Sequence, residues 1–484
     1  MAVSEGIRKQ YKPTIGIETH VQLKSKTKLF AAVGNDARGA APNTLISHIC
    51  VGMPGALPVL NEDALRLAAR AAYALCTTPQ KFSNFDRKHY FYPDLPKGYQ
   101  ITQYENPIIK KGHVHINVDG DKKCIGITRA HLEEDAGKNT HPEGADYSLI
   151  DLNRAGTPLL EIVSEPDITS QAEAKAFARE LYLLMKYAGV SDVDLYHGNM
   201  RFDVNISVSK SAELGKRAEV KNLNSFRSVE AAVEFEINRQ IELLEKGEHV
   251  VQETRGWDEA KQKTTSQRTK EEAEDYRYMP EPDVPPLELS DDFLGSIEKE
   301  VPMLPPAIRI ELGKLELEPQ VIEDIIDRHL IVPTILKILS KHGPAHARRA
   351  AFWLIHSEPA EDTVEQTPHL ELDISKLLKL SQMVEANELS STSARKVFEQ
   401  ILKSSDSPED IAERLNLLQV SDEVEIEKIV TQIIADNPKA AEDVKNGEAK
   451  AIGFLVGQVM KESQGKANPS MAQNLIKKQL GLEK

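Results

Sequence analysis

Ile15-Gly16-Ile17-Glu18-Thr19-His20-Val21-Gln22-Leu23 alternates between two kinds of residue. Ile15, Ile17, Val21 and Leu23 take one side; Gly16, Glu18, His20 and Gln22 take the other. A period of two marks a strand with one face in a core, so the chain is expected to open on a half-buried sheet. The polar side carries a carboxylate and an imidazole two residues apart, with Cα atoms about 7 Å from each other. Side chains at that spacing can converge on one ion or one proton. A merely solvated face more often carries Lys, Thr and Ser.

Other stretches repeat this pattern. Arg201 to Val208 places Phe202, Val204, Ile206 and Val208 against Arg201, Asp203, Asn205 and Ser207. Leu159-Leu160-Glu161-Ile162-Val163 is a short apolar run holding one acid. His113 to Val118 and Cys124 to Thr128 flank Asp119-Gly120, which reads as a hairpin. Two long helices are expected: one from Ser170 to Tyr187, with Ser170 and Glu173 as a capping box, and one after Ser225 ending at Gly247. Strands joined by hairpins with few helices favour an α+β class and a largely antiparallel sheet. The proline-rich bridge Met279 to Pro286 closes this half, and helical patterns dominate afterwards. Three parts follow: a mixed catalytic cradle over 1–291, a helical middle over 292–404 and a small helical tail over 405–484.

At 484 residues, 40% hydrophobic and 28% charged, the composition is that of an ordinary globular chain of several domains. No apolar run is long enough for a membrane span, and the N-terminal stretch does not read as a signal or transit peptide. A cytoplasmic location is expected. Cys50, Cys76 and Cys124 are odd in number and far apart, so neither a disulfide framework nor a cysteine-based zinc site is expected. The formal charge of −15 argues against a general nucleic-acid binder. The balance is uneven, because from Lys439 onward eight Lys stand against five Asp and Glu, a local +3.

Glu18, Glu133-Glu134-Asp135 and Glu161, with His20, make an oxygen-rich set with one imidazole. Hard divalent cations prefer such ligands, so a magnesium site is one reading; a solvated turn with a satisfied sheet histidine is the other. Arg129, Arg154, Arg201 and Lys221 either face a polyphosphate or pair with those same acids. The aromatic segment Phe85 to Tyr99, which contains Lys88, either walls a pocket or packs on itself. The common phosphate loops and nucleophile elbows are absent from the sequence. Gly453 and Gly457 in a helical pattern permit close backbone approach, with tight helix packing the plainer explanation.

Taken together, the first strand, Phe85 to Tyr99, Gly126 to Lys138, Asp151 to Asp167, Lys221 to Phe226, Asp275 to Tyr278, Gly453 to Met460 and Gly465 to Pro469 resemble the B subunits of aspartyl/glutamyl-tRNA amidotransferases. The resemblance implies a heterotrimer with two partners, a glutaminase (the A chain of the assembly) and a small C chain, acting on mischarged tRNA with ATP and magnesium. It implies catalytic roles for Glu18, His20, Lys88, Glu133, Glu134 and Glu161, with Glu18, His20, Glu134 and Glu161 around the metal and Lys88 and Glu134 as a charged gate for ammonia. Candidates for ATP phosphate contacts are Arg129, Arg154, Arg201, Asp203 and Lys221. Candidates for tRNA contact in the tail are Gly453, Gln458, Lys461 and Lys466. Family members often carry a cysteine-rich knuckle near Ala31 to Pro54; with Cys50 alone there, no zinc is expected. Tyr196 and His197 stand where others carry acids, which leaves a non-catalytic tRNA-binding scaffold as the alternative.

Overall fold

The first strand, Lys12–Gln22, lies at the centre of an eight-stranded sheet. Across the sheet the order is Lys263–Thr269, Glu253–Asp258, Ala218–Leu223, Met200–Ser209, Lys12–Gln22, Pro158–Ser164, Asp121–Glu134 and Ile109–Val118. Every neighbouring pair is antiparallel except Ala218–Leu223 with Glu253–Asp258. This computed structural model describes residues 3–269, 276–356, 373–419, 423–446, 448–463 and 467–482. The α+β class expected from the pattern is the class observed.

The alternation decides the layers. Ile15, Ile17, Val21, Leu160, Ile162, Phe202, Val204 and Ile206 are all buried on one face. The helices Gln171–Tyr187 and Phe226–Glu245 cover that face with Phe177, Leu181, Val233 and Ile237. Each such side chain contributes about 1.5–3 kcal/mol by leaving water. Both helices start where the sequence says. Ser170 accepts the Glu173 N–H at 3.2 Å and Ser225 the Ser228 N–H at 2.9 Å. The reciprocal half of the first box differs: the Glu173 carboxylate takes the N–H of Thr169, one residue before the cap, at 2.7 Å. The opposite face of the sheet keeps its polar side chains.

The hairpin turn Asp119-Gly120 has positive φ at both positions, 53° and 96°, as a tight two-residue connection requires. The proline-rich bridge adds short strands: Met279–Pro280 pairs with Asp86–His89, which also pairs with Tyr99–Thr102. The chain forms two compact units, Met1–Pro305 and Pro306–Lys484. The second is helical among its described residues, and Ile426, Val430, Leu455, Val459, Leu475 and Ile476 form one of its cores. No helix of the described residues is long and apolar enough to cross a membrane.

Candidate active site

Strand register builds the site. Arg201 pairs with His20, His20 with Glu161, and Glu161 with His131, so four charged or titratable side chains form one row across four strands. Glu133, two residues past His131, shares its side of the sheet. The two carboxylates then bracket the two imidazoles. His20 Nε2 is 3.6 Å from both Glu133 and Glu161, and His131 Nε2 is 3.8 Å from Glu133 and 3.3 Å from Glu161. Ligand atoms of His20, Glu133 and Glu161 all lie within 4.8 Å of one another. His131 Nδ1 is buried with no hydrogen-bond partner.

A β-bulge makes this row possible. Ile127 pairs with Ser164 but Arg129 pairs with Val163, two steps on one strand against one on the other. Before the bulge Ile125 and Ile127 face the core; after it Ala130 and Leu132 do. Without the phase change His131 and Glu133 would point into the apolar layer.

Electrostatics follow from the crowding. Burial disfavours the imidazolium of His20, yet the hydrogen bond and charge of Glu161, with Glu133 behind, outweigh it and hold His20 up to about 9. His131 is likewise held up to about 9, against burial, by Glu161 and Glu133. Burial raises Glu18, and the charges of Glu161, Glu219 and Asp203 raise it further. Burial pushes Glu161 and Glu133 upward, and the charge of Glu161 adds to it at Glu133, but the adjacent imidazoliums, with Lys88 at Glu133, hold both below the usual carboxylate range. Both histidines are raised above their unfolded value, so their protonation stabilises the metal-free fold fully below pH 6.5, and that contribution is lost as pH rises to about 9. Titration of metal-free protein by histidine NMR is expected to show two midpoints near 9. Midpoints at the ordinary value would mean that the carboxylates do not face these rings.

The other expected residues fall into distinct groups. Glu18 accepts a hydrogen bond from Asn205 at 2.9 Å and lies on the same strand face as His20. Lys88 is ringed by aromatics, 4.9 Å from the Tyr276 ring centre and 5.9 Å from that of Tyr90. Burial opposes its charge, but Glu133 and Glu161 raise its pKa. Glu134 does not join the row. Alternation turns it away from Glu133, and its carboxylate pairs with Lys97 and accepts the Ile101 N–H at 2.9 Å. Among the described residues Glu134 makes no ion pair with Lys88. Arg154 and Arg201 both reach Asp135 at 3.3 Å, and Lys221 pairs with Asp203 at 3.3 Å and Glu219 at 3.2 Å. For these three, pairing with nearby acids is the arrangement observed. Arg129 lies over the Tyr104 ring at 5.9 Å. Tyr196 is 92% exposed and His197 pairs with Asp194 at 2.7 Å, so neither joins the row. The segment around Cys50 offers a soft cation no second thiol, and Cys50 lies 3.7 Å from the buried Lys28 ammonium.

A cavity of ≈ 440 Å³ adjoins the row, with Glu18 at the seam and Gly16, Asn205, Ser207, Lys216 and Arg217 among its lining. That volume suits a nucleotide-sized ligand. Lys216 and Arg217 make no ion pair among the described residues. They sit on a loop held close by Gly215, where a Cβ would meet the Val208 carbonyl oxygen at 2.2 Å. Sequence reading missed these two cations and His131. The signal for His131 was present in Arg129-Ala130-His131-Leu132-Glu133, which repeats the spacing of Glu18 and His20.

In the tail, Gly453 and Gly457 lie on the helix Ala449–Glu462, and a Cβ at either would meet nothing within 4 Å. Tight helix packing is therefore not their role among the described residues. Gln458 is half-buried and Lys461 is exposed on the same helix, while Lys466 lies outside the described residues.

Residues 13–295 match the family model described as the GatB/GatE catalytic domain, and residues 336–480 match the GatB domain. The B subunit of the aspartyl/glutamyl-tRNA(Asn/Gln) amidotransferase of Caldanaerobacter subterraneus is 43% identical over 480 residues, covering 97% of this chain and 99% of the relative. The protein of the same name from Thermotoga maritima is 43% identical over 487 residues, covering 97% and 99%. That of Carboxydothermus hydrogenoformans is 42% identical over 489 residues, covering 98% and 99%.

Proposed function

The chain belongs to the family of aspartyl/glutamyl-tRNA(Asn/Gln) amidotransferase B subunits, and from that premise we propose that it amidates glutamate or aspartate misattached to tRNA. A carboxylate is a poor electrophile, so it must first be activated. Its oxygen attacks the γ-phosphorus of ATP, the bond to the bridging oxygen breaks, and ADP leaves an acyl phosphate. Ammonia then attacks the acyl carbon, inorganic phosphate leaves, and loss of one proton gives the amide. The ammonia comes from the partner glutaminase, and the small C chain completes the assembly in the cytoplasm.

The observation that supports this reading is the row of His20, Glu161 and His131 beside a cavity bounded by Glu18. His20, Glu133 and Glu161 fit a hard dication, with mixed oxygen and imidazole donors close together and a further imidazole, His131, lacking a partner at Nδ1. Magnesium held there would neutralise charge on the transferred phosphoryl oxygens. The chain's own groups do the rest. Lys88 stays cationic and offsets charge near Glu133 and Glu161. Lys216 and Arg217, which line the cavity, would meet the phosphates of a nucleotide there. Tyr90 and Tyr276 pack their rings near Lys88 and limit water at a hydrolysable intermediate. The exposed glycine face of the tail helix admits a sugar-phosphate backbone, with Lys461 beside it.

The test is reconstitution with both partner proteins and mischarged tRNA, following ADP and amide together. Magnesium-dependent formation of both is expected. Binding of tRNA with no ADP would leave the scaffold reading instead. A narrower prediction concerns Gly16, whose Cβ would meet its nearest neighbours at an ordinary 3.9 Å while projecting toward the cavity. Gly16→Val is expected to raise KM for ATP by about tenfold with the fold retained. An unchanged KM would place the nucleotide elsewhere.

A further inference from the structure

The hairpin at the far edge of the sheet carries a second cluster. His113 and His115 are two residues apart on Ile109–Val118, and His115 is the direct cross-strand partner of Cys124. Their ligand atoms lie within 4.8 Å of one another. The two imidazole centroids are 4.8 Å apart at an interplanar angle of 74°. Val114 and Ile116 fill the core side of the same strand, so the two rings and the thiol share the outward side.

A helix end lies against the same strand. Cys76 follows the helix Glu62–Ala74, and its neighbour Leu75 accepts the His113 N–H at 2.9 Å, so the helix end is tied to this strand. Cys76 has φ of 57°, a left-handed conformation normally left to glycine at a helix end. Burial, and after it the Cys124 thiol, push the Cys76 thiol up. The ligand atoms that group within 4.8 Å are nevertheless those of His113, His115 and Cys124.

We propose that His113, His115 and Cys124 form a binding site for a soft divalent cation of the zinc class, with solvent in the fourth position. Two imidazoles and one thiolate are a donor set that zinc takes when one position stays open. Metal–nitrogen and metal–sulfur bonds of about 2.0–2.3 Å place tetrahedral ligand atoms about 3.3–3.8 Å apart, so small rotamer changes from the observed spacing suffice. The donors differ in kind from His20, Glu133 and Glu161: sulfur selects a soft ion, carboxylate a hard one. Bound metal would cross-link the two strands of the hairpin at the sheet edge.

Cobalt(II) is the probe, because only thiolate ligation gives an intense near-ultraviolet charge-transfer band. The full chain, reduced and without a polyhistidine tag, is titrated with cobalt and then with zinc. The expected result is a saturable band, bleached by zinc, lost in Cys124→Ser and unchanged in Cys50→Ser. His115→Ala is expected to weaken cobalt binding by about tenfold or more. Absence of the band, or its survival in Cys124→Ser, overturns the site. Unchanged affinity in His115→Ala overturns the three-ligand assignment. The readout is independent of amidation, so it separates from the function proposed above.

Discussion

Replacing Glu161 by glutamine is expected to lower ATP-dependent amidation by about a thousandfold, while the partner glutaminase still hydrolyses glutamine. Glu161 is the register partner of both His20 and His131, and its carboxylate lies 3.6 Å from one ring and 3.3 Å from the other. Glutamine keeps the volume, so no cavity forms and the sheet is retained. The charge goes, and with it one oxygen ligand and the group that most raises both imidazoles. A hard cation binds more weakly to what remains. Steady-state ADP release in the reconstituted complex reads the loss directly, and NMR of metal-free variant should show both histidine midpoints falling. Amidation at the wild-type rate would remove Glu161 from the chemistry.

Glu281→Ala is expected to cost about 3 kcal/mol of stability, read as a lower urea midpoint for the Met1–Pro305 unit. Arg87 donates two hydrogen bonds to Glu281, at 2.8 and 2.9 Å, and the Glu281 side chain is fully buried. The Arg87 guanidinium also lies 4.2 Å from the Tyr99 ring centre. Removing the carboxylate strands a largely buried cation. Asp283 at 3.2 Å compensates in part, which sets the figure at the low end for a broken buried pair. This contact ties the proline-rich bridge to the strand that carries Lys88, so amidation should weaken with stability. Glu281→Gln retains an acceptor and should cost less. A variant with an unshifted midpoint would show that the bridge is not held by this pair.

Much of this was legible in the residues. Alternation in Ile15 to Leu23 and Arg201 to Val208 assigned each side chain to a face, and those faces are the ones observed. Helix starts at Ser170 and Ser225 and the Asp119-Gly120 turn were readable because caps and left-handed turns are short-range chemistry. The acid run Glu133-Glu134-Asp135 was harder. Read as a block, it suggested three acids acting together. In a strand, successive side chains diverge, so Glu133 joins the histidines, Glu134 meets Lys97 and Asp135 meets Arg154 and Arg201. The ion pairs of Arg201 and Lys221, and the cations Lys216 and Arg217 on a loop, carried no periodic signal.

Which side of each strand is polar follows from alternation, a local property of extended backbone. Which polar residues meet does not. That depends on register between strands more than a hundred residues apart, and on the bulge between Ile127 and Arg129 that reverses the facing of His131 and Glu133.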